Sequence, residues 1–141
     1  MKQILYAFLL PILLIGCKKD DFEPTAQIKD LVGKWRMVAM ETTVNGQKIW
    51  ENASETRESY VVFRFDGVIL NENGDQPCCT PGSLIVNGVP FTIKPLAPIS
   101  SECISASCVL IPYWNLQQTA DTLIVTPGAK LAYHRFRYIR E

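Results

Sequence analysis

The sequence predicts an all-β domain of antiparallel strands, arranged as a sandwich or a barrel. Three observations carry that prediction. Short runs rich in β-branched and aromatic residues recur from Lys34 onward, enough for eight or nine strands. Turn signals built on Asn-Gly, Asp-Gly and Pro-Gly separate them at intervals of about 8–14 residues. No stretch after Gly33 sustains the 3.6-residue apolar period of a helix. No internal repeat of about 20–50 residues is visible either.

Taken in order, residues 26–32 read as one short helical turn, with Thr25 as cap and Gly33 as stop. Trp35, Met37 and Ala39 then alternate with Arg36, Val38 and Met40, a strand buried to some degree on both faces. Asn45-Gly46 turns it into a hairpin with residues 47–51. Ser59 to Phe65 is a clear strand, with Tyr60 and Val62 on one face and Val61, Phe63 and Phe65 on the other. Asp66-Gly67 turns the chain so that Val68-Ile69-Leu70 pairs back. Leu84-Ile85-Val86 and residues 89–94 flank Asn87-Gly88 as a further hairpin, and Pro90 marks the second arm as an edge or a bulge. Residues 95–107 are irregular. β pattern resumes over 108–116, continues over 122–126, turns at Pro127-Gly128 and ends in a last strand over 131–140.

The chain has 141 residues, enough for one domain that buries roughly two-thirds of its unfolded surface. Fourteen basic and fourteen acidic side chains balance. No basic face argues for nucleic acid.

The first residues divide differently. Lys2 precedes an apolar run, Ile4 to Ile15, of about 18 Å as a helix, too short for roughly 30 Å of hydrocarbon. A signal-peptide core fits. Leu14-Ile15-Gly16-Cys17 resembles a bacterial lipobox, which implies cleavage before Cys17 and lipid on its sulfur. Residues 1–16 are then a signal peptide and residues 17–27 a flexible tether. The Lys18-Lys19-Asp20-Asp21 run resembles the signals that send some Gram-negative lipoproteins to the cell surface. The expected address is the cell envelope, as a surface-exposed outer-membrane lipoprotein.

With Cys17 taken by lipid, Cys78, Cys79, Cys103 and Cys108 remain, an even number in an oxidising compartment. Adjacent cysteines make a strained bridge, so two disulfides are expected between the pairs. Either Cys78–Cys108 goes with Cys79–Cys103, or Cys78–Cys103 with Cys79–Cys108. A four-thiolate zinc site is the rival, but structural zinc usually uses cysteines two to four residues apart. No metal and no cofactor are expected.

Gly33-Lys34-Trp35, opening the first strand after a helical lead-in, resembles the Gly-x-Trp signature of lipocalins. Phe63-Arg64-Phe65-Asp66-Gly67 and His134-Arg135-Phe136-Arg137-Tyr138 extend the resemblance to lipocalin-like domains of small bacterial lipoproteins, over residues 28–141. The resemblance implies an antiparallel up-and-down β-barrel in which first and last strands pair. It also implies closure at Gly33 and Trp35, with Arg135 or Arg137 lying over the indole as a cation–π partner. The cysteine segment and Pro90, Pro95, Pro98 and Pro112 depart from the pattern and imply an irregular barrel with a stapled excursion over one end.

No enzyme is expected. Gly-x-Ser-x-Gly and phosphate-loop patterns are absent, and the carboxylates are scattered. The single histidine, His134, reads as a mid-strand core or cavity residue. Asn71, Asn73 and Asp75 alternate as in a calcium loop, but the loop glycine and closing Glu are missing, so a plain polar turn is the better reading. Candidate ligand-lining residues are Trp50, Tyr60, Phe91, Tyr113, Trp114, Tyr133 and His134. Tyr113 and Trp114 are adjacent on a strand and must face opposite ways. Asp121-Thr122-Leu123 resembles a three-residue O-glycosylation site at Thr122. The expected function is non-enzymatic binding of a small apolar or amphipathic ligand in the barrel. The alternative is a protein-interaction module, an inhibitor or surface-complex subunit, using residues 78–108.

Overall fold

The computed structural model describes residues 23–54, 59–100, 103, 111–128 and 134–141. These form nine strands: β1 (Gly33–Val44), β2 (Gln47–Asn52), β3 (Tyr60–Phe63), β4 (Ile69–Leu70), β5 (Ser83–Val86), β6 (Val89–Thr92), β7 (Tyr113–Thr119), β8 (Thr122–Gly128) and β9 (Phe136–Arg140). They belong to one strongly curled sheet, a half-barrel, as the all-β prediction requires. Asn45 and Gly46, and again Asn87 and Gly88, take positive φ, the backbone that a two-residue hairpin needs. First and last strands pair, Trp35 opposite Arg140 and Met37 opposite Tyr138.

The strand order is β4-β3-β1-β9-β8-β7-β5-β6, with β2 beside the distal half of β1. This corrects the purely antiparallel, up-and-down expectation in one place, because β5 and β7 are parallel. The reason is the long connection after β6. It carries the chain past β5, so that β7 enters between β5 and β8 and runs in the direction of β5. Strand limits shift as well. Pro127 and Gly128 belong to β8, opposite Trp114 and Tyr113, instead of forming a turn. The last strand begins only at Phe136. Pro90 lies in β6, the edge strand, where its missing N–H costs no ladder bond on the outer side.

Residues 26–31 form hydrogen-bonded turns. The Ile28 and Lys29 amides donate to the Thr25 carbonyl at 3.0 Å each. Gln27 Nε2 donates to the carbonyls of Val89 and Pro90, so residues 25–27, assigned by sequence to the tether, are already docked. Ile28 and Leu31 thereby enter the core beside Trp35, Phe63, Leu84 and Leu116.

A bulge in β1 decides which face its residues reach. The β1–β9 register shifts between Met37 and Ala39. Before the bulge, Met37 stands opposite the buried Tyr138. Beyond it, Ala39 stands opposite Arg137, and is buried without joining the core cluster. The distal half of β1 thus turns Ala39 and Glu41 to the outer face, where Glu41 pairs with Trp50 of β2.

Edge strands β4 and β6 do not pair with each other among the described residues. Side chains tie that seam instead. Arg64 grips Asp66 through two hydrogen bonds of 2.9 and 2.7 Å. The same guanidinium donates to the carbonyls of Ala97 and Pro98, at 3.0 Å each. Asp66 accepts from the amides of Leu96, at 2.8 Å, and Val68. Gly67, with φ +82°, sits so close to Phe91 of β6 that a Cβ would lie 2.4 Å from its ring. The Gln76 amide donates to the Ser100 carbonyl, and a disulfide joins Cys78 to Cys103. That bond agrees with the second of the two pairings expected from sequence. Cys79 is also disulfide-bonded, while Cys108 lies outside the described residues.

Burial opposes ionisation of Asp66. The Arg64 hydrogen bonds, then those from the Leu96 and Val68 amides, outweigh it and hold the carboxyl below its ordinary value of 3.8. Its side chain is 1% exposed, so Arg64→Met leaves a buried charge without its partner. We expect a loss of about 3 kcal/mol in urea unfolding. Because the folded carboxyl titrates lower than the unfolded one, this stabilisation is full above pH 3.8 and is lost as pH falls through the depressed folded value. Asp66→Asn should lack that part of the pH dependence.

Candidate functional site

The two ends of the half-barrel differ. At the end where the chain enters, Trp35 is fully buried, and its Nε1 donates to the Leu31 carbonyl at 2.8 Å. A guanidinium does lie over its ring, but it is that of Arg140, at 4.3 Å from the centroid. This corrects the expectation of Arg135 or Arg137. In the register, Arg140 faces Trp35, whereas Arg137 alternates with the inward Tyr138 and so lies on the outer face, where the bulge sets Ala39 opposite it. Arg140 also donates to the carbonyls of Val32, at 3.1 Å, and Asp30, and its Nε lies 3.7 Å from Asp121 Oδ1. Gly33 takes φ +131°, a backbone that L side chains rarely adopt, and a Cβ there would also stand 3.1 Å from Arg140 Nη1. Gln118 Nε2 holds the same Asp30 carbonyl at 2.7 Å. A polar cleft of about 500 Å³ opens here among Lys29, Asp30, Asn87, Gln118, Asp121 and Arg140.

At the far end the interior is apolar and less covered. Met37, Phe91, Ile93, Trp114 and Phe136 pack against the core while keeping part of their surface open. The register places several of them beside core residues. Leu84 neighbours both Phe91 and Trp114, and Val125 neighbours Phe136. Trp114 Nε1 is buried and has no hydrogen-bond partner among the described residues. Its neighbour Tyr113 faces outward, 38% exposed, over Gly128, where a Cβ would collide with the ring.

Of the expected lining residues, Phe91 and Trp114 flank Leu84 from its two sides and pack against the core, and Tyr113 stands outside. Tyr60 lies elsewhere, under Lys34 Nζ at 3.8 Å. Trp50 is on the outer face, with Arg137 4.2 Å and Arg135 5.5 Å from its centroid. His134 is exposed and precedes β9 instead of lying mid-strand, with Nδ1 2.5 Å from the Glu41 carbonyl oxygen. Thr122 is the half-buried first residue of β8, paired with Thr119 and Ile139. Tyr133, Cys17 and Cys108 lie outside the described residues. Asn71 Oδ1 accepts from the Asn73 and Asp75 amides, which makes the 71–75 loop a self-bonded polar turn. No three His, Cys, Asp or Glu side chains gather as metal ligands among the described residues.

Sequence reading missed Arg140, Met37, Ile93 and Phe136 as site residues. The signal for Phe136 and Arg140 was present in the parity of the last strand. The one-residue bulge in β1 hid that Phe136 would meet Met40. Compared with known protein families, curated proteins and solved structures, the chain matches none.

Arg140→Lys keeps the charge but loses the fork that spans the Asp30 and Val32 carbonyls. We expect a loss of about 1–2 kcal/mol. Amide exchange at Leu31 and Val32 should quicken while that of Val61 and Phe63 follows global stability only.

Proposed function

We propose that this chain is a non-enzymatic, lipid-anchored outer-membrane lipoprotein, displayed at the cell surface, whose lipocalin-like domain binds a small apolar or amphipathic ligand. The ligand sits at the far end of the half-barrel, against Met37, Phe91, Trp114 and Phe136. The observation that carries this reading is the Trp114 indole N–H, buried without a partner among the described residues, with partly open apolar side chains packed against the same core. A buried donor left unpaired costs about 1–3 kcal/mol. An amphipathic ligand with a carboxylate or carbonyl head would offset that cost while its tail covers the open apolar surface. The opposite end supports the same direction of entry, because Trp35, Leu31 and Arg140 plug the interior there and the cleft outside them is polar. Cys17 supplies the anchor in this reading, through the lipobox-like Leu14-Ile15-Gly16-Cys17.

A second reading is favoured by Leu96, 61% exposed in the segment held by the Arg64–Asp66 pair and followed by the Cys78–Cys103 disulfide. A protein partner docking on residues 78–108 would cover it.

Native mass spectrometry of the full chain, released from nonionic detergent in the presence of dodecanoate, tests the first reading. A one-to-one adduct is expected. Trp114→Phe, which removes only the donor, should weaken it about tenfold, and Met37→Arg should abolish it. A chain that takes up no fatty acid, or one indifferent to both substitutions, contradicts the proposal. Metabolic labelling with an alkynyl fatty acid should mark the chain and fail with Cys17→Ser.

A further inference from the structure

Strand β2 and the outer face beneath it are unused by the ligand reading. β2 pairs only with β1 among the described residues, so its other edge presents a row of free N–H and C=O groups. All its residues except Trp50 are exposed. Its two faces have opposite character. On one, Val44 and Ile49, 47% and 44% exposed, lie on the same side, with Gln47 and Glu51 beside them. On the other, Trp50 and Lys48 stand beside Glu41, and the β1–β9 pairing adds Arg137, with Arg135 bound to the same carboxylate.

That second face carries more cations than anions. Glu41 is buried, and it already takes Arg135 at 3.1 Å and Lys48 at 3.4 Å. Arg137 lies over the Trp50 ring and makes no ion pair among the described residues. Two guanidiniums thus share one indole, and only Arg135 reaches the carboxylate. Stacking on the indole leaves the planar N–H edge of a guanidinium able to take a second, planar oxyanion.

We propose that β2 is a docking edge for an extended acidic peptide of another protein. The peptide adds as a further strand. Its carboxylates alternate onto the Lys48, Arg135 and Arg137 face, and apolar side chains between them meet Val44 and Ile49. Charge selects this occupant over a second copy of the chain, whose own β2 would bring Lys48 against a cationic face. The alternation selects a peptide over a small anion, which would use the cations and leave the free edge and the exposed apolar pair unexplained.

Fluorescence anisotropy with a labelled peptide alternating Glu and Val, added to the full chain in nonionic detergent, tests this. The peptide should bind. High salt, Lys48→Gln with Arg137→Gln, and N-methylation of alternate peptide amides should each weaken binding about tenfold or more. The methylated peptide leaves the protein untouched, so a folding defect in the variant does not obscure the outcome. Equal binding of the methylated peptide or of a Lys-Val counterpart overturns the proposal. Complete displacement by inorganic phosphate reduces the patch to an anion site and overturns it as well. So does sedimentation showing that the chain pairs with itself through this edge.

Discussion

A curled sheet whose end strands do not pair with each other encloses an interior only if something holds those ends together. Here the Arg64–Asp66 pair does so, from the turn between β3 and β4 to the chain leaving β6. It is a polar solution to a geometric problem. Once β7 inserts beside β5 in parallel, β6 becomes an outer edge that cannot complete a meander with β4. Backbone pairing is replaced by a bidentate ion pair whose remaining donors and acceptors reach Leu96, Ala97 and Pro98. A buried ion pair is tolerated when its hydrogen bonds are satisfied in this way. Gly67 belongs to the same device, because it lets Phe91 lie against the turn.

From that seam the asymmetry of the two ends follows. Residues 25–32 cross the entry end and bring Ile28 and Leu31 under Trp35. Arg140 then spans the indole and the carbonyls of the crossing chain. Nothing equivalent crosses the far end among the described residues, and the apolar side chains there remain partly open. The bulge at β1 separates this interior from the outer face. A single extra residue takes Ala39 and Glu41 out of the core and places them with Trp50 and Arg137. One strand thereby contributes to two surfaces of unlike chemistry.

Local chemistry was legible in the sequence where it is decided locally. The Asn45-Gly46 and Asn87-Gly88 turns, the inward pair Val61 and Phe63, and the opposed Tyr113 and Trp114 follow from residue type and a period of two. The first-to-last strand pairing was also anticipated. What could not be read depends on register between distant segments. Alternation along β9 puts Arg140 with the inward Tyr138 and turns Arg137 outward, so the indole partner follows from the Trp35–Arg140 register, while no feature of the β1 sequence marks Val38 as the extra residue. The parallel β5–β7 pair arises from a crossover whose path is set by tertiary packing. Phe63 to Gly67 showed the turn, but Arg64 and Asp66 looked like ordinary hairpin polar residues until residues 96–98 came to lie beside them.

The half-barrel is plugged at Trp35, and the proposed ligand site is at Trp114. The chain has three tryptophans, and their indole N–H groups report on the entry end, the outer face and the far end separately. Nitrogen–proton correlation spectra recorded during a dodecanoate titration test the claim most directly. The account predicts that the Trp114 indole signal moves toward a hydrogen-bonded position, with the Trp35 and Trp50 signals unchanged. Movement of Trp35 with Trp114 fixed, or three signals that ignore the ligand, would contradict it.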